Sequence, residues 1–96
     1  MAERYMLQNP QAAWRVYDGE AVIVSPEDST LHTLNEVGTV VWEAADGRTP
    51  LGAIVARICA RYDVDTPAAE RDLEAFVEQL RERGLITVLD APPSAD

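Results

Sequence analysis

The sequence predicts an α+β domain, a three-stranded antiparallel sheet followed by three α-helices. Three observations carry this. β-branched residues crowd the stretch from Ala13 to Leu34, where turn signals divide it into strand-length pieces. Beyond Asn35 the apolar residues switch to helical spacing. Each helical stretch is then bounded by a capping residue, a Pro or a Gly.

Residues 1–12 are mixed, with Asn9-Pro10 marking a turn, and are expected to form a flexible N-terminal arm ahead of a domain over 13–89. From Ala13 to Tyr17 apolar Trp14 and Val16 alternate with Arg15 and Tyr17, the period of a half-buried strand. Asp18-Gly19 is a two-residue hairpin signal, because turns of this kind need left-handed backbone. Glu20 to Ser25 supplies the second strand, and Pro26-Glu-Asp-Ser29 the next turn. Thr30 to Leu34 completes the meander.

Asn35 is a good N-cap, with acidic Glu36 at the positive end of the helix it opens. That helix is expected to run to about Ala45, burying Val37, Val40, Val41 and Ala44, until Asp46-Gly47 stops it. Thr49-Pro50 reads as the start of a second helix whose core face is Leu51, Ile54, Val55, Ile58 and Tyr62. Thr66-Pro67 repeats that start. The third helix, about 67–83, buries Ala69, Leu73, Phe76, Val77 and Leu80 and ends at Gly84. Leu85 to Leu89 either returns to a sheet or packs as an extended tail, and residues 90–96, with Pro92-Pro93, read as a disordered C-terminal tail.

Composition narrows the function. Ninety-six residues make one domain that buries roughly 60–65% of its unfolded surface, and 47% hydrophobic residues make a core without disulfide or metal. The lone Cys59 can neither close an internal disulfide nor hold a metal centre by itself. No apolar run reaches the ~20 residues of a membrane span, and the first residues lack signal-peptide character, so a cytoplasmic protein without a membrane partner is expected. Seventeen acidic residues oppose eight basic ones, all Arg, for a net charge of −9. Binding to nucleic acid depends on neutralising phosphates, so this balance argues against DNA or RNA.

Groups for catalysis are sparse. His32 is the single histidine and falls inside a strand, where a packed structural role is the commoner one. Cys59 sits beside Ile58 and behaves as a small hydrophobe in such a place. The carboxylates scatter over helix faces with Arg partners, and no Gly-rich phosphate loop occurs. Asp28-Ser29 meets the crude description of a carrier-protein attachment serine, but a Pro-containing turn precedes it and strand residues follow. A meander with three helices also resembles a winged helix, yet the third helix carries Glu70, Asp72, Glu74, Glu78 and Glu82 and makes a poor phosphate surface. No catalytic set, cofactor or metal site is expected.

The series Leu34-Asn35-Glu36-Val37-Gly38, Val41-Trp42-Glu43 and Asp46-Gly47 with Thr49 resembles the PqqD family. The likeness continues through Tyr62-Asp63-Val64 and through Asp72-Leu73, Phe76 and Leu80 to Gly84-Leu85-Ile86, covering about residues 13–88. The resemblance implies a winged helix-turn-helix-like fold without DNA binding. It implies a non-catalytic protein that takes the leader segment of a ribosomally made precursor peptide as an added strand. The peptide is thereby presented to a modifying enzyme, such as a radical SAM protein, or to a leader peptidase. The docking edge would be Leu31, His32, Thr33 and Leu34, and the groove wall would come from Arg71, Glu74, Val77, Glu78 and Arg81. The alternative is a scaffold domain that binds a folded biosynthetic enzyme without touching the peptide. Exposed edges and short hinges at 18–19 and 26–29 leave both monomer and dimer open.

Overall fold

The computed structural model describes residues 3–91. Its elements are β1 (Tyr5–Gln8), β2 (Ala13–Tyr17), β3 (Glu20–Val24), β4 (Leu31–Thr33) and α1 (Glu36–Glu43). There follow β5 (Asp46–Pro50), α2 (Leu51–Arg61), α3 (Thr66–Glu82) and β6 (Ile86–Leu89). The arrangement is α+β and winged helix-turn-helix-like, with two three-stranded antiparallel sheets ordered β2-β3-β4 and β5-β1-β6.

The meander forms where the hydrophobic alternation and the turns place it. Asp18 (φ 52°) and Gly19 (φ 80°) both adopt the left-handed conformation of a two-residue hairpin, which sets Tyr17 opposite Glu20 and Ala13 opposite Val24. Asn35 caps α1 as expected, its Oδ1 accepting the Gly38 N–H at 2.7 Å. Thr39 ties that helix to the sheet. Its hydroxyl donates to the Asn35 carbonyl at 2.9 Å and accepts the Ala21 N–H at 2.7 Å, so the polar groups at the end of β3 stay satisfied.

The second sheet departs from the sequence reading. Tyr5–Gln8, expected within a flexible arm, is the central strand, pairing with β6 from Tyr5↔Leu89 to Gln8↔Ile86 and with β5 on its other side. Met6 is fully buried there. Asp46–Pro50, expected as a helix stop and a cap, is strand β5, and Thr49 gives α2 no side-chain cap. Asp, Gly and Pro have low strand propensity, so β5 owes its conformation to pairing with β1, just before which the Arg4 carbonyl accepts the Leu51 N–H at 2.9 Å. The cap of α3 is Asp65 and not Thr66, its Oδ1 accepting the Ala68 N–H at 2.9 Å. The C-terminal segment returns to a sheet as β6. The expected disorder of the 90–96 tail falls, for residues 92–96, outside the described residues.

Ala21 and Ile23 of β3, Met6 of β1, Trp42 of α1, Ile54 of α2 and Leu80 of α3 meet in one core cluster. Burying each large side chain contributes about 1.5–3 kcal/mol. Leu34, Val41, Ile58, Ala69 and Leu73 of this cluster also line a groove between β4 and α3.

Candidate functional site

The strand β4 pairs with β3 alone, through Val22↔Thr33, Ile23↔His32 and Val24↔Leu31. Two bonds fix the phase of this ladder. The Leu34 N–H donates to the Ala21 carbonyl at 2.8 Å, and the Ser25 N–H to the Thr30 carbonyl at 2.9 Å. Hydrogen-bonded and non-bonded pairs alternate in antiparallel strands, so His32 spends its backbone groups on Ile23. Leu31 and Thr33 lie between such pairs, and their N–H and C=O point away from the sheet. This edge carries no further strand among the described residues.

The edge opens onto a groove of about 660 Å³ between β4, α1 and α3. Its floor is apolar, made by Leu34, Val37, Gly38 and Val41 on one side and Ile58, Val64, Leu73 and Phe76 on the other. Thr33 stands on its near rim, while Asp72, Gln79 and Arg83 form the rim on the α3 side. Tyr62 closes one end. Its hydroxyl donates to Glu36 Oε1 at 3.2 Å, and its partial burial first, then that carboxylate, push the phenol above its ordinary pKa. The Arg61 guanidinium lies 5.8 Å from the Tyr62 ring centre, a cation–π contact.

The structure separates the residues the sequence nominated. Leu31, His32, Thr33 and Leu34 do lie together on or beside β4, with Leu31 64% exposed and Leu34 buried at the base of the groove. The α3 residues do not line that groove. Val77 is buried in the core. Glu74 pairs with Arg4, Glu78 pairs with Arg81, and Arg71 is exposed. The Arg81 hydrogen bond holds the Glu78 carboxyl below its ordinary pKa, the mark of a surface ion pair complete in itself. The groove wall is instead Asp72, Phe76, Gln79 and Arg83, about half a turn round the helix. Phe76 held the missing signal. It is the large apolar residue on the flank of the core stripe Ala69, Leu73, Val77 and Leu80, and it is only half-buried.

His32 lies on β4, whereas Cys59 lies on α2 with its sulfur 3.8 Å from Thr66 Oγ1. Ser29 sits in a turn at φ 60°, not at the start of a helix, which removes the carrier-protein reading of Asp28-Ser29. Among the described residues no cluster of three or more His, Cys, Asp or Glu side chains is arranged to hold a metal ion, and no helix is long and apolar enough to cross a membrane.

A family model described as coenzyme PQQ synthesis protein D (PqqD) matches residues 20–86. No curated protein matches the chain with significance. Among solved structures, TbiB1 in complex with the TbiA(beta) leader peptide is 29% identical with a TM-score of 0.78, over 94% of this chain and 99% of that one. A lasso peptide synthetase B1 complexed with the leader peptide is 23% identical with a TM-score of 0.74, over 85% of this chain and 96% of that one.

Proposed function

The chain belongs to the PqqD family, and from that premise we propose that it binds the leader segment of a ribosomally made precursor peptide as a strand added to the edge of β4. The observation that carries this is the outward-facing backbone of Leu31 and Thr33 beside an apolar groove. Added-strand recognition divides its labour in this way: backbone hydrogen bonds supply affinity, and side-chain pockets beside the edge supply selection. The likeness to TbiB1, solved with a leader peptide, supports the same occupant. An unpaired edge strand is an aggregation hazard, and a transient peptide partner gives it a reason to persist.

The role is presentation and not catalysis. The peptide's leader is held here while a separate enzyme, a modifying enzyme such as a radical SAM protein or a leader peptidase, acts on the rest. An affinity near micromolar, about −8 kcal/mol, suits a carrier that must also release. The test is titration of the labelled chain with a leader peptide, followed by amide chemical shifts. Changes at Leu31 to Asn35 and along the Asp72, Phe76, Gln79 and Arg83 face are expected. Changes confined to other surfaces would reject the site.

A second reading draws on β2. All five of its residues are exposed, and its outer edge carries no strand among the described residues. A scaffold that holds a folded enzyme directly would use such an edge. Capture of that enzyme with no precursor present, together with no affinity for leader peptide, would favour it.

A further inference from the structure

Gly38 lies inside α1 in ordinary helical conformation, where Ala is the better helix former, so backbone geometry does not call for glycine. Packing does. A Cβ at this position would stand 3.1 Å from Phe76 Cζ, 3.2 Å from Asn35 Oδ1 and 3.3 Å from Leu34 Cβ. Separations of this kind are tighter than side chains ordinarily tolerate, so a neighbour would have to give way. Asn35 is held by its capping bond to the Gly38 N–H, and the Leu34 Cβ is fixed to backbone at the β4–α1 junction. The Phe76 ring is different. It is half-buried, on a rotatable stem, with the open groove beside it. It is the neighbour that yields, and it yields into the groove.

Resting on the leader-binding reading above, we propose that the Gly38–Phe76 contact sets the depth of the groove and so the size of the side chain it accepts. With glycine at 38 the tip of the ring rests on the backbone of α1, and the groove stays deep enough for one bulky apolar side chain of an extended peptide. The ligand class follows: an extended peptide with an aromatic or large aliphatic anchor, seated on Phe76 between Leu34 and Val41. A methyl group at 38 lifts the ring and makes the site shallow. Discrimination by filling of an apolar pocket is worth about ten-fold or more per methylene, so a change this small is measurable in anchor preference.

The experiment selects a displayed library of short random peptides on the wild-type chain, on G38A, on F76A and on the double variant G38A/F76L. Thermal unfolding verifies each fold. Only peptides whose binding weakens in Thr33→Pro are counted, because they use the β4 edge. Wild type should enrich Phe, Tyr, Trp or Leu at one position. G38A should shift that position towards smaller residues, with about ten-fold loss for the wild-type anchors. G38A/F76L, with the ring gone, should recover them. F76A should favour larger anchors than wild type does, and it decides the matter if G38A does not fold. Equal anchor preferences across the folded variants would overturn the size filter and leave peptide binding standing. Failure of the wild type to select any peptide sensitive to Thr33→Pro would overturn the leader-binding reading itself.

Discussion

Thr33 faces Val22 across the β3–β4 ladder as a non-hydrogen-bonded pair, while the adjacent His32 faces Ile23 as a bonded one. Neighbouring residues on one strand therefore have opposite duties. His32 holds β4 to the sheet, and Thr33 offers its N–H to whatever adds outside. Proline tests the division because it removes one donor and fixes φ near the extended range. Thr33→Pro should leave the melting temperature near that of wild type and weaken leader-peptide binding by about ten-fold, roughly 1.4 kcal/mol for one lost donor. His32→Pro should instead destabilise the fold. Calorimetric titration alongside thermal unfolding separates the two, and unchanged binding by a well-folded Thr33→Pro would mean the peptide does not add at β4.

Trp42 belongs to the core and not to the groove lining. It is fully buried on α1, with the Trp14 ring edge-on at 5.9 Å and 87°. Its Nε1–H has no hydrogen-bond partner among the described residues. Trp42→Ala should cost roughly 3–5 kcal/mol, a large part of a small domain's stability. Trp42→Phe should cost well under half of that, because it keeps most of the ring and removes an unpaired donor. Denaturant unfolding of both variants supplies the check. Equal losses would show that the indole N–H is bonded after all.

These two residues also show what was legible beforehand. The strand positions, the Asp18-Gly19 turn, the Asn35 cap and the helical period after it are local signals that the folded chain follows, although β2, read as half-buried, is exposed along its whole length. The second sheet is not local. Tyr5–Gln8 is four residues long, too short to show a period, and it becomes a central strand only because β5 and β6 flank it from 38 or more residues away. Asp46–Pro50 carries turn residues and adopts strand geometry under the same tertiary demand. The face of α3 was hidden for another reason. Phe76 falls close enough to its apolar stripe to read as core, so periodicity identifies the buried side but not which flank borders the groove. The open edge of β4 was legible, and the α3 wall of the groove beside it was not.

Asp46 makes the β5 turn dependent on pH. Its Oδ1 accepts the Arg48 N–H at 2.8 Å and the Thr49 N–H at 2.9 Å, and its Oδ2 accepts the Thr49 hydroxyl at 3.1 Å. The Arg48 bond is the chief cause of a carboxyl pKa below its ordinary value, opposed by slight desolvation and assisted by Thr49. With the folded pKa depressed, the unfolded chain binds the proton first. The stabilisation is therefore full above about pH 4 and is lost as pH falls through the folded value. Asp46→Asn should lower stability at neutral pH by about 1 kcal/mol or less, given the site's exposure. The gap to wild type should narrow as unfolding is measured below about pH 4. A gap independent of pH would show that charge contributes nothing to this turn.

The rim of the groove carries opposite charges at its two ends. Asp72 and Arg83 are eleven positions apart in sequence, and at 1.5 Å per residue that places them about 16 Å apart along α3. An extended peptide covers this distance in about five residues, so a bound leader with a basic and an acidic residue at that spacing meets complementary charge at both ends. Asp72→Asn and Arg83→Gln should each weaken such a leader by about two- to five-fold at low salt, with the loss shrinking as salt screens the exposed charges. Glu78→Gln and Arg81→Gln remove a pair of equal charge from the other flank of the same helix. They should leave affinity within about two-fold of wild type, since surface ion pairs of this kind contribute little beyond themselves. Titrations of the four variants with one leader peptide distinguish the two faces. A larger loss at Glu78 or Arg81 than at Asp72 or Arg83 would place the peptide on the opposite flank of α3.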